Sequence, residues 1–245
     1  MTAPAIRFTD VFKRYTSMSE THATVLDGLT FEVRAGGLCA LIGINGAGKT
    51  TSLKALLDFI DINAGAIEVF GATPSQTRAR QRLAFLPERF LPPHYLTGEG
   101  YLRAMSGLLE HAFSADAISR LCGALELAPK ALARPVRSYS KGMSQKLGLM
   151  AALASDKELL VLDEPLSGLD PKARALVKRQ LERAHADGRT LFYSSHMLDD
   201  VQALGGDMVL LHGGRAVFSG TVGECCERFG TNNLEDAFLG AIEAA

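Results

Sequence analysis

Apolar residues in this chain fall into short runs separated by longer amphipathic stretches. Leu38 to Ile42 and Leu159 to Leu162 are continuously apolar, the pattern of strands covered on both faces. Thr190 to Ser194 and Met208 to Leu211 predict two more strands, and the turn Gly213-Gly214 returns the chain as Arg215 to Ser219. Earlier strands are expected at Ile6 to Phe12, Leu29 to Val33, Ala66 to Phe70 and Leu83 to Leu86. Helices are expected from about Gly48 to Phe59 and from Pro171 to about Ala186, where proline suits the first turn. From about Arg89 to Ala154 strand signals vanish and helical segments dominate, punctuated by Pro92-Pro93, Pro129 and Pro135. The tail from Asn233 to Ala245 reads as a short helix. Together these predict an α/β fold with a largely parallel sheet and a helical insertion. The expected organisation is one domain: a core over about 1–88 and 155–230, a helical subdomain over about 89–154, and a C-terminal helix over 231–245.

Composition narrows the classes. The chain has 245 residues and is 47% hydrophobic, enough for one sizeable core. Its 26 basic and 27 acidic residues nearly cancel, so it carries no polybasic footprint and no nucleic-acid partner is expected. No signal-peptide core opens the sequence, and no run approaches the roughly 18 apolar residues of a spanning helix. If the chain serves transport, another chain is expected to form the path. Cys39, Cys122, Cys225 and Cys226 form no C-x-x-C pair and no zinc-ligand spacing. They are expected to be buried or idle thiols in a reducing cytosol.

The clearest chemistry lies after the run Leu38 to Ile42. Gly43-Ile44-Asn45-Gly46-Ala47-Gly48-Lys49-Thr50 fits the phosphate-binding pattern G-x-x-x-x-G-K-[ST] between a buried strand and a helix. Glycines let the backbone wrap close to phosphate. The loop amides, with Thr51 at the start of the helix, converge on phosphate oxygens at the helix's positive end. Lys49 is expected to reach the β and γ phosphates of ATP, and the Thr50 hydroxyl to coordinate Mg²⁺. A second element ends the run Leu159 to Leu162 in Asp163-Glu164. Two acids at the end of a buried strand are costly unless a cation or a reaction uses them. Asp163 is placed to hold Mg²⁺ and Glu164 to orient or deprotonate an attacking water.

Five further segments make the chain resemble the ABC (ATP-binding cassette) ATPases over nearly its whole length. Tyr139-Ser140-Lys141-Gly142-Met143, about twenty residues before Asp163, is similar to the family's LSGGQ signature. Ser167-Gly168-Leu169-Asp170 resembles the D-loop. His196 in Ser194-Ser195-His196 resembles the switch histidine, and Tyr15 the adenine-stacking aromatic, with Phe12 as a weaker alternative. Where the family has a glutamine after Ala84-Phe85-Leu86-Pro87, this chain has Glu88.

The resemblance implies a P-loop NTPase (RecA-like) core, an N-terminal antiparallel β subdomain and an inserted α-helical subdomain. It implies that Ser140 and Gly142 meet the γ-phosphate held by an opposite subunit, with a helix Ser144 to Ala154 aimed at it. Asp170 would shape the opposite site, and His196 would position water with Glu164. Glu88 departs from the family pattern, and its carboxylate either ligates Mg²⁺ or a water or merely substitutes sterically. Lys141 either adds charge towards the partner's phosphate or is simply solvated. The implied partners are a second copy of the chain and an integral-membrane permease, with the subunit cytoplasmic and peripheral on the inner face of the cell membrane. Phe90, Leu91, Tyr95 and Leu96 suit either a permease groove or the insertion's own core. The leading expectation is an exporter ATPase. The alternatives are a soluble ABC ATPase acting on a non-transport complex, and a cassette that binds ATP without hydrolysing it.

Overall fold

The computed structural model describes residues 3–16 and 22–244. Strands β1 (Ile6–Thr16) and β2 (His22–Val33) pair antiparallel as a hairpin. Both run further than the apolar pattern predicts. Polar residues such as Arg14 and Thr24 extend the ladder, because pairing needs only backbone groups and their side chains face solvent. After β3 (Leu38–Ile42) and α1 (Lys49–Leu56) comes β4 (Ala64–Val69), which pairs antiparallel with the other edge of β1. The chain continues through α2 (Thr77–Arg80) to β5 (Leu83–Leu86). Four helices then precede the next strand: α3 (Gly98–Leu108), α4 (Ala115–Ala124), α5 (Pro129–Leu132) and α6 (Lys141–Ala154).

Strand β6 (Leu159–Leu162), α7 (Pro171–Ala186), β7 (Thr190–Ser195), α8 (Leu198–Leu204) and β8 (Asp207–His212) restore the α/β alternation. β9 (Arg215–Thr221), α9 (Val222–Phe229) and α10 (Leu234–Glu243) complete the chain. The main sheet has the order β5-β6-β7-β3-β8-β9. All its pairings are parallel except β8 with β9. The sequence pattern passed over α8 and α9. Both are short, and α9 is fastened by a capping box in which Thr221 and Glu224 satisfy each other's backbone amides.

Side-chain alternation explains the continuous apolar runs. Ala40, Leu160 and Leu191 face a core shared with α6 and α7, whereas Leu41, Val161 and Phe192 face one shared with the β1–β2–β4 sheet. Neither face of the central strands meets water. Parallel pairing also aligns the strand ends. Leu162 pairs with Tyr193, and Ile42 with Ser195. The segments that leave β3, β6 and β7 therefore emerge side by side at the carboxyl edge of the sheet, where α/β folds bind ligands.

Candidate nucleotide site

Those three segments enclose a cleft of about 290 Å³. Asn45, Gly46 and Gly48 to Thr51 wall one side; Glu88, Asp163, Glu164 and His196 wall the other, with Val25 of β2. The loop's course depends on absent side chains. A Cβ at Gly43 would lie 2.5 Å from the Leu211 carbonyl oxygen. Gly48 has φ +109°, a conformation that L side chains rarely adopt. The Lys49 ammonium donates to the carbonyl oxygens of Gly43 (2.6 Å) and Ile44 (3.2 Å), folding the loop over itself.

Burial lowers the pKa of Lys49, against the pull of Glu164, Asp163 and Glu88, which raise it. Burial raises the pKa of Asp163. The hydrogen bond from Ser194 opposes that rise, and Glu88 and Glu164 add to it. Burial thus works against both charges, and their proximity partly offsets it. Incoming phosphate and cation charge would relieve both.

In the sequence Ser194 has no role beyond ending the strand Thr190 to Ser194 ahead of His196. In the structure its hydroxyl donates to Asp163 Oδ1 at 2.6 Å and accepts from the Glu164 amide at 2.8 Å. It fixes the two acids relative to each other. The signal was a serine at the end of a buried strand, where a hydroxyl needs partners. Glu164 has φ +48°, rare for a residue with a side chain, and such strain gathers at functional positions. Its Oε1 lies 2.9 Å from His196 Nδ1. Gln145, also unremarked in the sequence, is buried and donates to the Pro165 carbonyl at 3.2 Å, tying α6 to the strand end.

The structure does not bring every expected site residue into this cleft. Ser140 and Gly142 stand at the start of α6, outside the cleft lining. Ser140 caps that helix by accepting from the Met143 amide at 3.2 Å, so α6 begins at Lys141, three residues before the expected Ser144. The capping oxygen keeps its own O–H free to donate. Asp170 caps α7 by accepting from the Ala173 amide at 2.8 Å. The Lys141 side chain lies across the D-loop: a Cβ on Gly168 would come within 2.6 Å of its Nζ. Tyr15 is 40% exposed with the Lys13 ammonium 5.0 Å over its ring, and neither it nor Phe12 lines the cleft.

The insertion's apolar residues divide. Phe90 and Leu96 pack on the core, and Phe90 meets Tyr101 edge-on at 5.4 Å. Leu91 and Tyr95 remain 78% and 84% exposed. Among the described residues no helix is long and apolar enough to cross a membrane. All four cysteines are free; burial raises the thiols of Cys39 and Cys122 and pushes Cys225 up to about 11.

The oxygen donors Thr50, Glu88 and Asp163 all reach the cleft, and a hard cation prefers such donors. Among the described residues no three Asp, Glu, His or Cys converge to hold a metal unaided. Mg²⁺, which is bound through one or two carboxylates with phosphate and water completing its shell, would fit the donors Thr50, Glu88 and Asp163.

Comparison with known proteins agrees with this geometry. The model of the ABC transporter family matches residues 26–167, more than half of the chain. An uncharacterized ABC transporter ATP-binding protein of Nostoc sp. is 36% identical over 203 residues, covering 81% of this chain and 60% of that protein. A Nod factor export ATP-binding protein I of Burkholderia pseudomallei is 37% identical over 225 residues, covering 90% and 72%. A solved ATP-binding subunit of an ABC transporter superposes with a TM-score of 0.86 at 28% identity, covering 97% of this chain and 99% of that one. The matched span, the relatives and the P-loop cleft at the carboxyl edge of the sheet agree that this chain belongs to the ABC transporter family.

Proposed function

We propose that the chain hydrolyses ATP as one of two copies that power a separate membrane permease, in the direction of export. The observation that carries the catalytic part is the convergence of Lys49, Asp163, Glu164 and His196 on one cleft, with His196 Nδ1 2.9 Å from Glu164 Oε1. The amides of Gly43 to Thr51 cradle the phosphates. Lys49 exchanges its two carbonyl partners for phosphate oxygens. Thr50, Asp163 and Glu88 are the ligands offered to Mg²⁺, which when bound neutralises charge on the transferring phosphoryl group. Glu164 orients the water and takes its proton as the γ-phosphoryl group leaves ADP. His196, through Nδ1, holds Glu164 in place.

The dimer is supported by what the cleft lacks. Ser140 and Gly142 carry a free hydroxyl and a helix N-terminus but line no part of it. Their target is then the cleft of a second copy, related by a two-fold axis. The exposed Leu91 and Tyr95, next to Glu88 in sequence, are offered to the permease on the inner face of the membrane. The name of the Burkholderia relative supports export.

Glu164→Gln is expected to lower turnover at least 100-fold while ATP binding persists and an ATP-bound dimer accumulates on gel filtration. Turnover at the parent rate would remove Glu164 from this role. Co-purification with a multi-spanning membrane protein is expected. A stable complex with ribosomes or a soluble scaffold in its place would overturn the transport reading.

A further inference from the structure

Behind the Glu164–His196 pair lies a second, smaller cavity of about 110 Å³. It separates the segment Glu164 to Gly168 from the loop that carries His196. Tyr193, 1% exposed, lines this cavity, and its hydroxyl has no hydrogen-bond partner among the described residues. Protein interiors are otherwise close-packed. Side-chain packing between the His196 loop and the Glu164 segment is therefore incomplete at this cavity. The imidazole is half exposed, and among the described residues its polar contact is with Glu164 itself.

Charged groups bridge the two sides of this cavity. Asp200 lies four residues after His196, in the first turn of α8, and is 3% exposed. Its Oδ2 accepts from the Arg174 guanidinium, and its Oδ1 lies 3.4 Å from the Lys178 ammonium. Both cations project from α7, whose first residue follows the D-loop cap Asp170. A buried carboxylate with a cation on each oxygen resists displacement, since moving it would leave charges unpaired.

We propose that Arg174 and Asp200 are positioning residues for hydrolysis. The ion pair clamps α8 to α7 across the loosely packed cavity and so holds His196 at the distance at which it steadies Glu164. Small displacements of such groups cost large factors in rate. The inference rests on the proposed roles of Glu164 and His196.

The test compares Asp200→Asn, Arg174→Gln and the pair together with Glu164→Gln as reference, in the full chain. Asp200→Asn is expected to lower kcat roughly 10-fold while KM for ATP stays within about 2-fold, the mark of an interaction made only in the transition state. Asp200→Glu should recover at least half of the activity. The double variant should be no slower than the slower single, because the two act as a unit. In ¹⁵N-histidine spectra of the nucleotide-free chain, the His196 ring signal should move in Asp200→Asn and return in Asp200→Glu. A merely structural role would lower the thermal midpoint without moving that signal. If Asp200→Asn fails to fold, Arg174→Gln and Lys178→Gln decide by the same two readouts, with roughly 3-fold expected for the weaker lysine contact. Unchanged kcat and an unmoved signal, with Glu164→Gln inactive, overturn the proposal alone. An active Glu164→Gln overturns the reading beneath it.

Discussion

Asp163 and Lys49 illustrate how a site can be costly when empty. Each is buried, and burial moves each pKa against its charged form. For Asp163 the folded pKa lies above the unfolded one, so the folded state binds the proton more tightly. Its destabilising effect is absent well below the ordinary carboxylate range and is complete once the pH has risen through the folded pKa. Asp163→Asn keeps an oxygen for the Ser194 hydroxyl and removes the charge. It should raise the thermal midpoint of the nucleotide-free subunit by about 2 °C at pH 7. That gain should shrink as the pH is lowered towards about 4, while ATP hydrolysis is lost. Thermal scans of both proteins over that pH range check the sign. A midpoint lowered by the substitution at pH 7 would mean that the carboxylate stabilises the empty site.

At the scale of elements, α6 would link stability to the seam of the proposed dimer. Ser140 caps it through a side-chain oxygen, and its fourteen residues present a positive N-terminus beside Gly142. Ser140→Ala and Ser140→Asp separate the two duties. The alanine loses the cap and should cost about 1 kcal/mol of stability. The aspartate preserves the cap and should leave stability near the parent value, yet set a negative charge where a partner's phosphate must approach. Sedimentation with ATP in the Glu164→Gln background should show dimer formation abolished by the aspartate and weakened by the alanine. Dimerisation unimpaired in the aspartate variant would place the signature motif away from the phosphate.

At the scale of the whole molecule, the proposed dimer gives each chain two half-sites, its cleft and its Ser140–Gly142 segment outside that cleft. Complementation follows from that geometry. Lys49→Ala and Ser140→Asp chains should each be inactive alone. Mixed, they form heterodimers with one intact P-loop facing one intact signature. Each mixed pair has one competent site, and because the aspartate chains do not pair with each other, ATPase activity at equal concentrations should recover to between roughly a quarter and roughly a half of the parent value. No recovery would mean either that each chain hydrolyses alone or that both sites must be intact together; the activity of diluted parent chain, falling with concentration or constant, distinguishes these.

The phosphate loop and the acidic strand end were legible in the sequence because both are local. Gly43 to Thr50 is a continuous loop whose residue types answer to one ligand, and Asp163-Glu164 closes a run whose burial is written in Leu159 to Leu162. The parallel sheet was legible too, since strands covered on both faces admit no polar alternation. Long-range pairings were not. Ser194 joins Asp163 and Glu164 across thirty positions or more, and Arg174 meets Asp200 across twenty-six. Neither pair has a periodicity to announce it. Phe90 and Leu91 are neighbours of equal hydrophobicity, yet one packs inward and the other faces solvent, which only the path of the insertion could decide. The sequence by itself determined which chemistry the chain carries, because phosphate binding needs particular residues in unbroken order. The tertiary structure alone decided which groups share a wall of the cleft and which stand outside it, because strand register and helix docking set those distances.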